Sequence, residues 1–183
     1  VGSEAPTLHQ FAHGVDNRPL VREREPKKSY SQQHTFDEDI TDESLAEATL
    51  RRMADQLMAA IRQDRRLVRT LTVRIRYNDR AERKTSDSLL EPTDLETDIY
   101  SLLRPLLRRA WRRRVSLRLV GLKLSNLYRD TGRAELALDG EHQTYDAHRR
   151  LADAIAKLRG TYGNNAIMRR HDLVLGDDKG RNK

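Results

Sequence analysis

The segment VRTLTVRIRY, residues 68–77, alternates between polar and apolar side chains from Thr70 to Tyr77. Its apolar members fall on one side of an extended chain (Leu71, Val73, Ile75 and Tyr77), and threonines and arginines fall on the other. Successive side chains of a strand point to opposite faces, so this period of two predicts a strand with one buried face and one polar, basic face. The fold must therefore place its core on one side of this strand only.

Helical patterns lie on both sides of this strand in the sequence. Upstream, apolar residues recur at three- and four-residue spacing over residues 50–61, after an expected N-cap at Thr41. Downstream, a second amphipathic helix follows an expected capping box of Thr93 and Glu96, and Pro105 predicts a kink or a restart within it. Each helix has one apolar stripe, so both can cover the apolar face of a sheet.

Three further segments complete the predicted sheet. Residues 29–36 (SYSQQHTF) and 82–90 are polar but compatible with strands, and residues 115–127 (VSLRLVGLKLSNL) are a clear strand. The apolar phase of that last strand shifts at Gly121, which predicts a β-bulge there. The resulting β-α-β-β-α-β order predicts an α+β fold, a split β-α-β antiparallel sheet with two helices on one face. The other face stays open.

Domain organisation follows from the composition along the chain. Residues 1–17 indicate the end of a helical segment, and residues 18–28, with two prolines and alternating charges, predict an extended linker. We expect the folded domain over 29–130. The C-terminal extension, 131–183, should contain one helix, with Leu151, Ile155 and Leu158 on its apolar face and Gly160 as its stop, and then a disordered tail.

The overall composition favours a soluble protein with a polyanionic partner. The formal net charge is +7, with 35 basic and 28 acidic residues; such a balance is typical of nucleic-acid binding but also of a solubilising surface. The absence of cysteine excludes disulfides, thiol nucleophiles and thiolate metal sites, and it fits a reducing cytoplasm. No apolar run approaches the roughly 18 residues of a membrane span.

Cationic and hydroxyl side chains on the open face of the predicted sheet, and in the linker before it, are candidate ligands for phosphate. Such groups bind phosphate oxygens without reading base sequence. The alternative is a solvated strand surface. Arginines over residues 104–114 lie on the helical side, where long basic side chains often only follow the helix surface. The candidates are Lys27, Lys28, Ser29, Arg74, Arg76, Arg83, Lys84, Thr85, Ser86, Arg118 and Lys123.

Neither a catalytic residue nor a metal ligand is predicted in this chain. The acidic trio Asp37, Glu38 and Asp39 precedes a helix, where capping and dipole compensation account for it. Two-metal catalysis needs carboxylates around ions ~3.5–4 Å apart, and no apolar strand here carries such aspartates. The six histidines are scattered, and no serine has the Gly-x-Ser-x-Gly context.

Several motifs resemble the little-finger domain of Y-family, DNA polymerase IV-like enzymes. KKSYSQQHTF matches at Lys28, Ser29, Thr35 and Phe36, whereas Ser31 and Gln33 depart from the family's usual glycine and glutamate. The ending VSLRLVGLKLSNL is the most specific match. Upstream, LHQFAHGVDNRPLV resembles the end of a thumb domain, with Gly14 and Asp16 at its Gly-x-Asp. Downstream, LADAIAKLRGTYGNNAIMRR resembles the extension of many bacterial members.

This resemblance implies a function. It implies an error-prone DNA polymerase of the bacterial cytoplasm that acts in lesion bypass and DNA repair, with this domain in the major groove of primer–template duplex DNA. The carboxylates that hold Mg²⁺ lie in the palm domain of that family, so no cofactor is expected in this chain, and we expect a monomer. Glu135, Leu136 and Leu138 occupy the place of a Gln-Leu-x-Leu-Phe peptide that docks on the sliding clamp, but Glu135 replaces the glutamine and Asp139 the aromatic anchor.

Three alternatives remain at this point. The first is an adaptor domain of a catalytically inactive polymerase homologue, which would have the same sequence features. The second is an RNA-recognition module, which shares the strand and helix order but stacks bases on aromatic residues of its first and third strands. The third predicted strand here has no aromatic residue. The third is a small enzyme of ferredoxin-like fold, for which no site residues are found.

We predict that the purified 183-residue chain does not extend a primer, because its carboxylates cannot surround two metal ions. A primer-extension assay with Mg²⁺ and all four deoxynucleotides tests this, with a complete DNA polymerase as the positive control. Template-directed extension by the pure chain would contradict the prediction.

Overall fold

The computed structural model describes residues 2–19, 26–113, 115–130, 141–163 and 166–181. Within these ranges the chain forms four strands and five helices. Their order is α1 (Ala5–Ala12), β1 (Ser29–Ile40), α2 (Glu43–Gln63), β2 (Arg66–Tyr77), β3 (Glu82–Thr93), α3 (Glu96–Ala110), β4 (Leu117–Arg129), α4 (Glu141–Tyr162) and α5 (Arg170–Arg181).

The four strands form one antiparallel sheet in the order β1-β4-β2-β3. The last strand, β4, lies between β1 and β2, so the β1-α2-β2 unit is split by it. In the same way β2 separates β3 from β4. This arrangement confirms the predicted α+β, split β-α-β fold, and a C-terminal helix follows it as expected.

The core lies between one face of the sheet and helices α2 and α3. The alternating apolar residues of β2 are fully buried there, as the period of two predicts, and residues of both helices close over them. The Tyr77 hydroxyl is buried as well and donates to the Ala110 carbonyl oxygen at 3.1 Å. Burial of each large apolar side chain contributes roughly 1.5–3 kcal/mol, so the helices are held firmly on this face.

Several element boundaries differ from the sequence predictions. The N-cap of α2 is Asp42 and not Thr41; the Asp42 carboxylate accepts from the backbone N–H two residues later at 2.7 Å. Helix α3 continues through Pro105 without restarting; the buried leucines beside the proline hold the turn together. Helix α4 passes Gly160 and ends at Tyr162.

A second helix in the C-terminal extension was not predicted. Helix α5 occupies part of the segment for which we expected a disordered tail. Its side chains His171 and Asp172 are buried, and Leu175 packs against the core. Contacts between residues far apart in the sequence produce no periodic pattern in a short polar segment. The sequence therefore did not predict a helix here.

The predicted bulge at Gly121 is wrong. Pairing of β4 with both neighbours is unbroken there, and Gly121 lies directly opposite Arg74. The irregularity comes three residues earlier, because Arg118 has no opposite residue between the pairs of Leu119 with Arg76 and of Leu117 with Tyr77. A Cβ at Gly121 would lie 3.3 Å from the Gln32 carbonyl oxygen of β1. The glycine therefore accommodates a close strand and does not mark a bulge.

The start of α3 shows a different arrangement from the predicted capping box. Its N-cap is Leu95, without a side-chain cap; Thr93 Oγ1 accepts from the Leu95 N–H at 3.1 Å and donates to the Asp98 carboxylate at 2.5 Å. Glu96 instead forms a buried ion pair with Arg62 at 2.6 Å, and both side chains are at most 6% exposed. This pair fastens the start of α3 to the end of α2.

Removing Glu96 should therefore destabilise the domain strongly. We expect Glu96→Ala to lower the free energy of unfolding by about 3 kcal/mol, because it removes the buried carboxylate from the Arg62 guanidinium and leaves only the exposed Asp153 carboxylate, at 3.2 Å. Urea denaturation measures the loss. The control is Glu91→Ala, an exposed glutamate of β3, which should change stability by less than about 0.5 kcal/mol. Equal small losses for the two variants would contradict the role given to the pair.

Candidate nucleic-acid interface

The face of the sheet opposite α2 and α3, here called the open face, is polar. Over the centre of this face the strand register brings serine, threonine and glutamine side chains together with cations; Leu119 lies opposite Arg76, and the aromatic Tyr128 lies at the end of β4, opposite Leu67. The polar centre can hydrogen-bond to an anionic backbone but offers no ring on which a base could stack. Its residues include Ser31, Gln33, Thr70, Thr72, Arg74, Arg76, Glu82, Lys84, Ser86, Ser88, Lys123 and Ser125.

A groove crosses the centre of the open face. Because Gly121 has no side chain, the surface dips between its neighbours and encloses about 350 Å³. Gln33, Arg74, Lys84 and Lys123 contribute to the walls. We call this the Gly121 groove; it places three cations around a concave surface.

The cations of the open face differ in their pairing. Lys84 and Lys123 have no ion-pair partner among the residues that the structure describes. Arg74 and Arg76 instead share Glu82, with nitrogen–oxygen distances of 2.6 and 2.7 Å. The Arg74 guanidinium, helped by Arg76, lowers the pKa of Glu82 to about 2. Glu82 is therefore ionised at neutral pH and neutralises part of the positive face.

Sequence reasoning missed this role of Glu82. The residue begins β3 directly opposite Arg76, and cross-strand neighbours of opposite charge pair readily. Knowledge of the hairpin register would have revealed the pair. The short turn between Tyr77 and Glu82 was visible in the sequence, but its register was not.

Hydroxyl pairs extend the open face beside the cations. Thr70 and Ser88 are hydrogen-bonded at 2.8 Å, and Thr72 and Ser86 at 2.9 Å. Asn126 Nδ2 also donates to Thr70 Oγ1 at 2.8 Å. These hydroxyls are exposed, so they can exchange their mutual bonds for bonds to an incoming oxygen. Ser86 thus lies where it was predicted.

Two predicted residues of the open face lie on the other face. Arg83 is opposite Ile75, and Thr85 is opposite Val73, which are core-facing positions of β2. Thr85 Oγ1 donates to the Leu106 carbonyl oxygen of α3 at 2.8 Å. Because side chains alternate along β3, Lys84 lies on the open face, and its neighbours Arg83 and Thr85 lie on the helical side. The prediction that Arg83 and Thr85 lie outward is wrong.

Arg118 lies apart from the Gly121 groove. Its guanidinium donates to the Asp37 carbonyl oxygen at 2.7 Å and lies 3.6 Å from the Asp39 carboxylate. Because Arg118 is the bulged residue, it borders a second cleft at the end of the sheet together with Arg76 and Arg80. Arg118 and Lys123, both candidates on the open face, are therefore not brought together at one groove.

The candidate residues near the linker lie at the other end of β1. The Lys27 ammonium is 2.9 Å from the Asp64 carboxylate and 4.9 Å from the centre of the Tyr30 ring. Lys28 is exposed, and Ser29 pairs with Ser125. Lys27 is thereby held close to the sheet.

The arginine-rich run of α3 is largely neutralised. Arg104 and Arg108 both contact the Glu43 carboxylate, at 3.3 and 2.7 Å. Arg109 pairs with Asp87 at 2.8 Å, and Arg113 pairs with Asp79 of the β2–β3 turn at 2.7 Å. These contacts support the interpretation that the helical side is not the anion-binding side.

A group with metal-ligand chemistry lies under the C-terminal helices, far from the open face in the fold. Ligand atoms of Asp55, His171 and Asp172 are within 4.8 Å of one another. However, the two carboxylates also accept from Arg159 at 2.8 and 3.0 Å, and Asp55 accepts from Arg169 at 2.8 Å. Guanidinium groups on the same oxygens disfavour a divalent cation, and the cluster is better described as a buried ion-pair network.

Two predictions concern other parts of the chain. The clamp-peptide positions Glu135, Leu136 and Leu138 lie outside the described residues. In the part of the chain that the structure describes, none of the helices combines the length and apolarity that crossing a membrane requires.

Comparison with known proteins identifies the family of this fold. Residues 27–138 match the impB/mucB/samB family C-terminal domain. The chain is 40% identical over 167 residues to DNA polymerase IV of Opitutus terrae, an alignment that covers 91% of the chain and 42% of that protein. It is 27% identical over 174 residues to DNA polymerase IV of Clostridium kluyveri, with the same coverages of 91% and 42%. The chain therefore spans about two fifths of the length of these relatives.

Solved structures share the fold. The Y-family DNA polymerase chimera Dbh-Dpo4(243-245)-Dbh aligns with a TM-score of 0.50 and 19% identity over 70% of this chain and 36% of the chimera. The insertion ternary complex of Dbh DNA polymerase gives a TM-score of 0.50 and 17% identity over 69% of this chain and 36% of that one. With the family match over more than half of the residues, the chain belongs to the impB/mucB/samB family, and residues 27–138 form its little-finger, C-terminal domain.

Proposed function

We propose that the open face binds the sugar–phosphate backbones of primer–template duplex DNA, as the little finger of an error-prone Y-family DNA polymerase. The observation that carries the proposal is the pair of cations Lys84 and Lys123 on the walls of the Gly121 groove, which have no ion-pair partner in the described part of the chain. Unpaired lysines on a concave polar surface bind phosphates by releasing counterions from the duplex.

The residue types of the open face favour duplex DNA over the alternatives. Hydroxyls, amides and cations position a backbone without reading bases, which suits an enzyme that must act on any sequence. An RNA-recognition module would need exposed aromatic residues at the centre of the sheet, whereas the exposed aromatic residue among the paired positions of this face, Tyr128, lies at the end of β4. The proposed function therefore includes no base-specific recognition.

The relatives named DNA polymerase IV support the wider proposal. In the parent protein, DNA-directed nucleotidyl transfer would take place in the catalytic domains, with Mg²⁺ held by carboxylates of the palm and this domain gripping the product duplex. We place that activity in lesion bypass and DNA repair in the bacterial cytoplasm. An adaptor role in an inactive homologue would use the same open face. Clamp binding at Glu135, Leu136 and Leu138 stays a prediction.

We predict weak, sequence-tolerant duplex binding that depends on Lys84 and Lys123. The double variant Lys84→Ala with Lys123→Ala should flatten the slope of log affinity against log salt by about 2, because each phosphate contact contributes ~0.9. Fluorescence anisotropy with a labelled primer–template duplex between low and moderate salt measures it. For the unchanged chain we expect a Kd in the micromolar range or weaker.

The matched control removes two cations from the helical side. Arg104→Ala with Arg108→Ala lowers the net charge equally, but both arginines contact Glu43. This double variant should leave the salt slope nearly unchanged. It should weaken DNA binding only slightly, because the two lost charges act on the duplex at long range. If the helical variant lost as much slope as the open-face variant, with both folded by circular dichroism, the assignment of the open face would be wrong.

A second prediction concerns the shared carboxylate. Glu82→Gln frees Arg74 and Arg76 for phosphate and should strengthen duplex binding by about fivefold at low salt, with a steeper salt dependence. Glu91→Gln, elsewhere on β3, is the control because it removes the same charge away from the arginines. An equal gain in both variants would indicate a general charge effect and would contradict the specific role of Glu82.

A further inference from the structure

Helix α4 buries charged side chains and exposes leucines. On its inner side, Arg159 is only 15% exposed and contacts Asp55 at 2.8 Å, whereas the adjacent Leu158 is 41% exposed. Towards the start of the helix, Arg149 is 37% exposed and contacts Asp130 at 2.5 Å, and Leu151, one heptad before Leu158, is 58% exposed. A surface helix normally places its leucines inward, so this inversion requires an explanation.

The ion pairs hold α4 in this orientation. Asp55 is buried, and Arg159 and Arg169 both contact it. Burial raises the pKa of Asp55, but the contacts with His171, Tyr100 and Arg159 outweigh it, and the pKa is lowered. Turning the helix to bury its leucines would remove the Arg159 guanidinium from this buried carboxylate and put apolar side chains in its place, which is costly in free energy. The leucines are thus presented outward on a rigid helix.

The exposed apolar residues follow a heptad pattern. Ala147, Leu151, Ala154 and Leu158 recur at spacings of four, three and four along the outer side, and all are exposed. Spacing of this kind forms the seam into which a second helix packs its own side chains. We call these four residues the α4 seam.

The border of the seam is cationic. Arg150 and Lys157 each precede a seam leucine, both are exposed, and neither has an ion-pair partner among the described residues. In heptad terms they are the flanking positions that choose a partner by charge. If a second copy of α4 packed antiparallel on the seam, Arg150 and Lys157 of one copy would face the same cations of the other. If it packed parallel, they would face the neutral residues Ile155 and Tyr162. Charge therefore disfavours an antiparallel second copy, and it favours an acidic partner over a second copy in either orientation.

From this geometry we propose that the α4 seam is a docking surface for an amphipathic helix of another protein, with apolar residues at heptad spacing and acidic residues on its flanks. The site is separate from the open face and independent of its function, because α4 packs on the helical layer. It would recruit a partner while the open face holds DNA.

The proposal is tested with a synthetic peptide of about three heptads, with leucine at the seam positions and glutamate at the flanking positions. A matched peptide carries lysine in place of glutamate. We expect the 183-residue chain to bind the acidic peptide about tenfold more tightly than the basic one at low salt, measured by isothermal titration calorimetry.

Variants locate the binding. Leu151→Gln with Leu158→Gln should weaken the acidic peptide by at least about tenfold, while Leu173→Gln, an equally exposed leucine of α5, should change it less than about twofold. Since all three leucines are exposed, circular dichroism and thermal midpoints should stay unchanged. Arg150→Ala with Lys157→Ala should abolish the preference for the acidic peptide.

Other results would overturn the proposal. These are equal binding of the two peptides, unchanged binding after the seam substitutions, concentration-dependent dimers through the seam in sedimentation experiments, or a preference of the seam for anionic lipid vesicles over the acidic peptide.

Discussion

The sheet of this domain is buried on one side only, and the rest of the structure depends on that constraint. The central strands β2 and β4 send alternate side chains into the core and outward. Once α2 and α3 cover the apolar set, no element among the described residues covers the polar set, and its hydroxyl, amide and cationic side chains remain available. The same alternation that stabilises the fold therefore creates the binding face, and stability and function use opposite faces of the same strands.

The distribution of carboxylates, more than the density of cations, decides where an anion can bind. The run from Arg104 to Arg113 is the most basic part of the chain, but Glu43, Asp87 and Asp79 neutralise it. The open face has fewer cations, yet two of them, Lys84 and Lys123, have no carboxylate partner where the chain is described. Glu82 also limits anion binding on the open face, because it forms ion pairs with both Arg74 and Arg76. A formal charge of +7 conceals this difference entirely.

Features that depend on one strand could be predicted from the sequence, and features that depend on two could not. The alternation in β2 fixes the faces of Arg74 and Arg76, and both lie as expected. Assigning Arg83 and Thr85 required the β2–β3 register, which a polar strand does not specify strongly. The apolar phase shift in β4 was real, but its position depended on how β4 meets β2, and the extra residue is Arg118. Pairing partners such as Glu82 and Glu43 also come from other elements.

The C-terminal extension also shows that a pattern within one segment does not specify which other element covers it. Periodicity correctly indicated a helix at α4 and suggested that Leu151, Ile155 and Leu158 face a core. In the structure only Ile155 is half-buried, and the neighbouring buried position is the small Ala152. Periodicity identifies an apolar stripe but not what covers it. Here aspartates of neighbouring segments form ion pairs with arginines on the inner side of α4. The leucines of α4 therefore remain exposed, where a second helix can pack against them.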